Sequence, residues 1–428
     1  MTSLFEKTEI NGLVLKNRFI RSATWEGLAA DDGGPTSKIV ELYTRLAEGE
    51  AGLMITGHAY VHPQGKHAPR QLGMDQEGLI PGYQTLTQAV HEKGGKILSQ
   101  LSYGGAYLSK SRVERMTPGD LQEVAQAFGN AALRAKTAGF DGVQILAAHG
   151  FFLSQLLCPR YSSRTDAYGG PIENRARLLL EVLSSIRKQV GRNYPVIVKL
   201  NGQDLVENGL TLENSLKVGA MLEEQGIDAI EVSGGLLNVA GLMDKKTDSE
   251  EDTVAFRKEA EAFKKTLRVP IILVGGIRSL QLAQKLIEEG VADYISMCRP
   301  FICEPDLIKR WKAGDSRKAD CISCNQCVEQ IKQGLGLQCV PLEPEPAATF
   351  FPEHLERIPA GPPHLPGTIY QIATGLEQWE SGFYPVLKIQ VVRDEKIIAS
   401  GPSIPLSSDD PDNLLQAITT LLEKHRQR

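Results

Sequence analysis

The stretch DLQEVAQAFGNAALRAKTAGFDGVQIL, Asp120–Leu146, holds one helix-then-strand passage. Leu121 to Ala138 carries apolar residues at a spacing near 3.6, with Asp120 as N-cap and Gly139 closing it. Gly142 to Leu146 is a short apolar run of strand length. The alternation continues in both directions and yields strand candidates at Phe19 to Ala23, Gly52 to Gly57, Lys96 to Leu101, Gly142 to Leu146, Val196 to Leu200, Ala229 to Val232, Ile271 to Val274 and Tyr294 to Met297. A segment of helical period follows each, Ile172 to Val190 being an example. Runs such as VIV at 196–198 and IILV at 271–274 need cover on both faces, as parallel strands have. The pattern predicts an α/β fold, a (β/α)8 TIM barrel over residues 1–318. A hairpin turning at Asn11-Gly12 is expected to cap its bottom.

The chain has 428 residues, with 47 Lys and Arg against 52 Asp and Glu, a formal charge of −5. That balance provides no electrostatic footprint for nucleic acid or an anionic membrane. The N-terminus lacks a signal or transit pattern, and the longest charge-free stretch, residues 142–159, contains a histidine, two glutamines and a serine. A cytoplasmic protein without a membrane span is expected. Beyond the barrel, residues 319–340 are cysteine-rich, and 341–367 hold eight of the 23 prolines and read as an extended linker. Residues 368–428 read as a small α+β extension: strands at Val386 to Val392 and Lys396 to Ala399 joined at Asp394-Glu395, then a helix from Asn413 to His425.

Parallel barrels place their chemistry at the C-terminal ends of the strands. Here those ends form a polar ring with little carboxylate, which disfavours a two-carboxylate glycosidase. Gly275 and Gly276 after the seventh strand and Arg299 after the eighth suit a phosphate dianion, or a tight turn with a surface ion pair. Gln100 and Lys199, ending the third and fifth strands, are polar residues that burial penalises unless they are paired. A flavin's pyrimidine edge would satisfy both; a core network for Gln100 and an internal salt bridge for Lys199 are the alternatives. Cys321, Cys324 and Cys327 at gaps of two residues, with Cys339 after a gap of eleven, form a four-thiol set. A [4Fe-4S] cluster fits that spacing best, with zinc as the rival. Cys158 and Cys303 read as packing residues.

The run Ala138 to Val182, AGFDGVQILAAHGFFLSQLLCPRYSSRTDAYGGPIENRARLLLEV, resembles the signature of the Old Yellow Enzyme family of NAD(P)H:flavin oxidoreductases and ene-reductases. NRFIRSAT, ILSQLSYGG, VIVKLNG, IEVSGG, ILVGGIRS and YISMCRP follow the family's order, so that the resemblance covers roughly residues 3 to 340. It implies an FMN-binding barrel with Ser22, Ala23, Thr24 and Gly57 along the flavin edge near N5 and O4, and Gln100 on the pyrimidine. It also implies Lys199 at N1 and O2, and Gly276 and Arg299 at the phosphate. The cysteine pattern resembles the branch that includes 2,4-dienoyl-CoA reductase, some of whose members have a second gap one residue longer.

Two positions depart from the family pattern. The first member of its usual His-x-x-His or His-x-x-Asn substrate grip is Leu146, which leaves His149, and its usual proton-donating tyrosine is Phe151. Tyr103 or a water is the candidate replacement acid. The expected function is an FMN-dependent oxidoreductase acting through flavin N5 on an unsaturated carbonyl or thioester. Electrons would come from NAD(P)H or an electron-transfer protein, and an oligomer is possible. Rival readings are a flavin and iron–sulfur subunit of a larger complex, and a Schiff-base barrel aldolase using Lys199.

Overall fold

The computed structural model describes residues 3–104, 112–236, 251–340, 351–359, 368–379, 382–393, 396–400 and 404–405. The chain divides into two compact units, Met1–Cys339 and Val340–Arg428. In the first, β1 (Thr8–Ile10) and β2 (Leu13–Leu15) form an antiparallel hairpin. Eight parallel strands follow: β3 (Phe19–Arg21), β4 (Leu53–Tyr60), β5 (Ile97–Ser102), β6 (Gly142–Ala147), β7 (Val196–Asn201), β8 (Ala229–Ser233), β9 (Ile271–Val274) and β10 (Tyr294–Met297). They pair in sequence and β10 closes on β3, so the sheet is a (β/α)8 barrel.

Asn11 and Gly12 both take positive φ, as the expected hairpin turn requires. Ile10 and Leu15 thereby reach a buried apolar layer with Ile20, Leu98, Ile197, Ala229, Ile272 and Tyr294, which plugs the lower barrel. Side chains alternate along a strand, so a residue two positions further faces the same interior one level up. On β5, β7, β8 and β10 those residues are Gln100, Lys199, Glu231 and Ser296, and just past β3 comes Ser22. The barrel therefore changes from an apolar floor to a buried polar layer within one repeat.

Two helices differ from their sequence reading. The helix expected from Asp120 runs Pro118–Thr137, with Thr117 as N-cap and Asp120 returning a bond to the Thr117 backbone, a reciprocal capping box. The helix expected over Ile172–Val190 divides into Ile172–Arg175 and Arg177–Val190.

The second unit contains an antiparallel sheet of β11 (Phe351–Pro359), β12 (Thr368–Trp379), β13 (Gly382–Arg393) and β14 (Lys396–Ser400), with β15 (Ile404–Pro405) also pairing β13. Strand β11 corrects the reading of 341–367 as linker throughout. It is an edge strand with Pro359 at its end and an irregular register at Pro352/His354, positions where proline removes no ladder bond the sheet needs. The remaining linker residues, the Asp394-Glu395 turn and the expected helix at Asn413–His425 lie outside the described residues. Among the described residues, no helix is long and apolar enough to cross a membrane.

Candidate functional site

The polar layer beneath the barrel mouth is a connected network. Glu231 is fully buried. Its Oε1 accepts from Ser22 Oγ at 2.8 Å and Ser296 Oγ at 2.7 Å, and its Oε2 accepts from Gln144 Nε2 at 2.7 Å. Lys199 Nζ lies 3.4 Å from Oε2 and donates to Ser22 Oγ at 2.8 Å. Gln100 Nε2 donates to Gln144 Oε1 at 2.7 Å. Burial alone would raise the Glu231 carboxyl, but the Lys199 charge and three hydrogen bonds outweigh it and hold the group below the usual carboxylate range. The sequence reading singled out Gln100, Lys199 and Ser22 but not Glu231, Gln144 or Ser296. Alternation along each strand was the signal for them, since Ala229 and Tyr294 face the apolar floor two residues before. Both alternatives raised for Gln100 and Lys199, a core network and an internal salt bridge, are present. Lys199 Nζ is engaged by Glu231 and Ser22 in a buried pair, an arrangement that does not favour the Schiff-base reading.

The mouth above carries the sequence-predicted substrate residues. His149 takes a left-handed φ of 60°. Its backbone N–H donates to Asn201 Oδ1, and its Nε2 shares a 2.7 Å hydrogen bond with Ser233 Oγ. Burial, then the Lys199 charge, pushes its pKa down to about 3, so the ring is neutral. Leu146, Ala148 and Phe151 form a small apolar wall beside it. Two histidines pack on that wall that had no assigned role. His58 and His67 stack at 5.0 Å between ring centroids, and each meets Phe151 edge-on, at 5.0 and 5.2 Å. His58 Nε2 is buried with no hydrogen-bond partner among the described residues. Burial, then His67, lowers the His58 pKa well below its usual value, and burial takes His67 to about 4. Tyr103 is buried just past β5, packed on Phe152 and stacked with His62.

Ala23 and Thr24 lie half-buried after β3. Gly57 has its N–H committed to Glu26 Oε1 at 2.7 Å, and a Cβ there would fall 2.0 Å from Glu26 Oε2. Glycine is thus demanded at 57 by the protein's own packing, and its N–H is not free for a ligand.

Where β9 and β10 end, Gly275, Gly276, Arg278, Arg299 and Ser323 line one small cleft. Gly275 and Gly276 have positive φ, and a Cβ on Gly276 would lie 1.7 Å from the Thr253 carbonyl oxygen. Arg299 Nη1 donates to Asn325 Oδ1 at 2.9 Å, which ties the cleft to the cysteine-rich loop. Arg278 is a second cation that the sequence reading quoted within its motif but left unassigned.

That loop is docked on the barrel. Cys327, Ile331 and Leu337 form an apolar cluster with Trp25 and Ile302, and Leu337 N donates to the Glu26 carbonyl. Ser323 and Asn325 take left-handed φ and turn the chain sharply between the cysteines. Cys303 joins the set: burial, then a hydrogen bond to Cys339, pushes its thiol up to about 12. Cys298 and Cys321 influence Cys327 electrostatically, and Cys339 influences Cys321. Among the described residues no three of these groups are gathered around one point as metal ligands.

The site is thus a parallel barrel's mouth with a glycine-and-arginine cleft, a buried lysine and amide below and a neutral histidine above, an arrangement able to take a phosphate-bearing ligand. The chain belongs to the NADH:flavin oxidoreductase / NADH oxidase family, whose profile matches residues 3–318. It is 33% identical over 361 residues to an NADH oxidase of Thermoanaerobacter brockii, covering 79% of this chain and 55% of that protein. It is 31% identical to an NADPH dehydrogenase of Bacillus subtilis, over 71% of this chain and 92% of that one. The solved 2-naphthoyl-CoA reductase in complex with 2-naphthoyl-CoA superposes with a TM-score of 0.72 at 27% identity, covering 83% of this chain and 60% of that one. The chain spans about half the length of the first relatives it matches.

FMN, the cofactor this family implies, fits the residues present. The Gly275–Gly276 cradle with Arg278 and Arg299 suits a phosphate dianion, and Lys199 with Gln100 suits a pyrimidine edge.

Proposed function

We propose that the chain is an FMN-dependent oxidoreductase that moves a hydride to or from a small unsaturated carbonyl or thioester substrate. The observation that carries this reading is the pairing of two sites at one barrel mouth, the small glycine-and-arginine cleft at β9–β10 and the Gln100 and Lys199 side chains across from it. Bound FMN would supply hydride chemistry at N5. The chain's own part is to bind, orient and exclude water. Arg278, Arg299, Gly275 and Gly276 would hold the phosphate, Lys199 would lie toward N1 and O2, and Gln100 would meet the pyrimidine. Ala23 and Thr24 border the ring, and Ser22 acts from below through Lys199. His149, neutral and fixed by Ser233 and Asn201, orients the substrate oxygen by hydrogen bonding rather than by charge. Leu146 and Phe151 close the substrate side with apolar surface. The acid that protonates the product carbon is Tyr103 or a water held at the mouth.

The finer reading adds a [4Fe-4S] cluster on Cys321, Cys324, Cys327 and Cys339, relaying electrons from NAD(P)H or an electron-transfer protein. The spacing of the four thiols, with left-handed φ at Ser323 and Asn325 between the first three, supports it. A coenzyme A thioester as substrate is supported by the likeness to the 2-naphthoyl-CoA reductase. The absorption spectrum of anaerobically purified protein tests both cofactors. Flavin bands with a broad iron–sulfur shoulder that bleaches on reduction, and about four irons per chain, are the expected result. A colourless, zinc-containing protein would overturn the proposal.

A further inference from the structure

Glu231 is the most deeply buried charge of the mouth, and the proposed chemistry does not use it. A carboxylate in such a place needs compensation from every side, and this one has it from Ser22, Ser296, Gln144 and Lys199. We propose that Glu231 is a positioning residue for the flavin, setting both the direction of the Gln144–Gln100 amide chain and the net charge presented by Lys199.

The amide argument follows from hydrogen-bond chemistry. An ionised carboxylate only accepts, so Gln144 must turn its NH2 toward Glu231. Its carbonyl oxygen then faces Gln100, which must answer with its own NH2. Gln100 is left with Oε1 uncommitted: no described residue donates to it. The orientation of an amide is otherwise nearly free, because its two ends are alike in size. Here a carboxylate two residues away in the network decides that the last amide offers an acceptor, the group that an imide N–H of a flavin pyrimidine requires. The charge argument is separate. A lone ammonium under N1 and O2 would favour the anionic reduced flavin strongly. Glu231, 3.4 Å from Lys199 Nζ, offsets part of that field.

The inference rests on the proposed flavin site, and its test separates the two. In Glu231→Gln the negative charge is lost, and the new amide no longer dictates which way Gln144 points. The expected result is a flavin midpoint potential raised by a tenfold or larger shift in the equilibrium, about 30 mV for a two-electron couple. Weaker FMN binding should accompany it. Gln144→Met breaks the amide chain while keeping the charge, so FMN affinity should fall several-fold with the potential changed by less than in Glu231→Gln. It also serves as the second variant should Glu231→Gln fail to fold. Lys199→Met controls for the site: a lowered potential and weakened FMN binding place Lys199 at the flavin. If Lys199→Met moves both quantities while Glu231→Gln and Gln144→Met move neither, the role of Glu231 is refuted and the site stands. If Lys199→Met also moves neither, the flavin placement itself fails.

Discussion

Phe151 occupies the position where the resembled family carries its tyrosine acid, and its ring is clasped edge-on by His58 and His67. A hydroxyl there would enter a mouth already lined by neutral imidazoles. Phe151→Tyr is expected to raise turnover of a simple enone by roughly 10²-fold, the usual worth of a positioned acid. Steady-state rates of the two proteins with the same donor check it. His149 and His67, at about 3 and 4, lie below the unfolded-state value of about 6.5, and His58 is lowered too. Between those limits the unfolded chain binds the extra protons, so the stability that neutral rings provide is complete above pH ~6.5 and is lost as pH falls. Each contributes a slope of at most about 1.4 kcal/mol per pH unit, less for the partly exposed His67. His58→Phe should flatten the dependence of Tm on pH between 7 and 4.5, and an unchanged slope would contradict the depressed value. None of this was readable along the chain. His58 stood in the polar ring of strand ends without a role, and only folding brings it onto His67 and Phe151. For Glu231 strand alternation signals an inward-facing residue, but not its partners, which come from positions 22, 144, 199 and 296.

At the level of elements, local physics made much of the structure legible. The eight strands fall where apolar runs predicted them, because a strand covered on both faces has no polar alternation to blur the signal. Helix starts were less well placed: Asp120 looked like an N-cap, whereas Thr117 caps and Asp120 closes the box. A Thr-Pro-Gly-Asp sequence contains both candidates, and only the backbone turn distinguishes them. Thr117→Ala should therefore cost about 1 kcal/mol. Thermal melts should show the loss while FMN content stays at the wild-type value, since this cap lies on the outer helix ring. Strand β11 was hidden by its prolines, which suggest linker until the edge position that tolerates them is known.

For the whole molecule, the division between Met1–Cys339 and Val340–Arg428 falls directly after the last cysteine of the proposed cluster. The barrel has its own apolar floor, its own hairpin plug and the docked cysteine loop. A chain ending at Val340 is expected to fold and keep both FMN and iron. Gel filtration with flavin and iron assays would test this, and an aggregated protein or one without flavin would contradict it. The family and barrel were legible from motifs spread over the first 340 residues. The second unit was legible only as strands and turns, because its sequence carries no residue cluster with chemical meaning.

The bond from Arg299 to Asn325 gives the two halves of the site a common fate. One guanidinium serves both the phosphate cleft and the loop that holds the thiols, so ordering either neighbour lowers the entropy lost when the other is ordered. By linkage the benefit is equal in the two directions. If the proposed cluster is present, flavin loading and cysteine-loop maturation are not independent events in the life of the protein: whichever cofactor arrived first would prepare the ground for the second, and a chain stripped of one would hold the other less tightly.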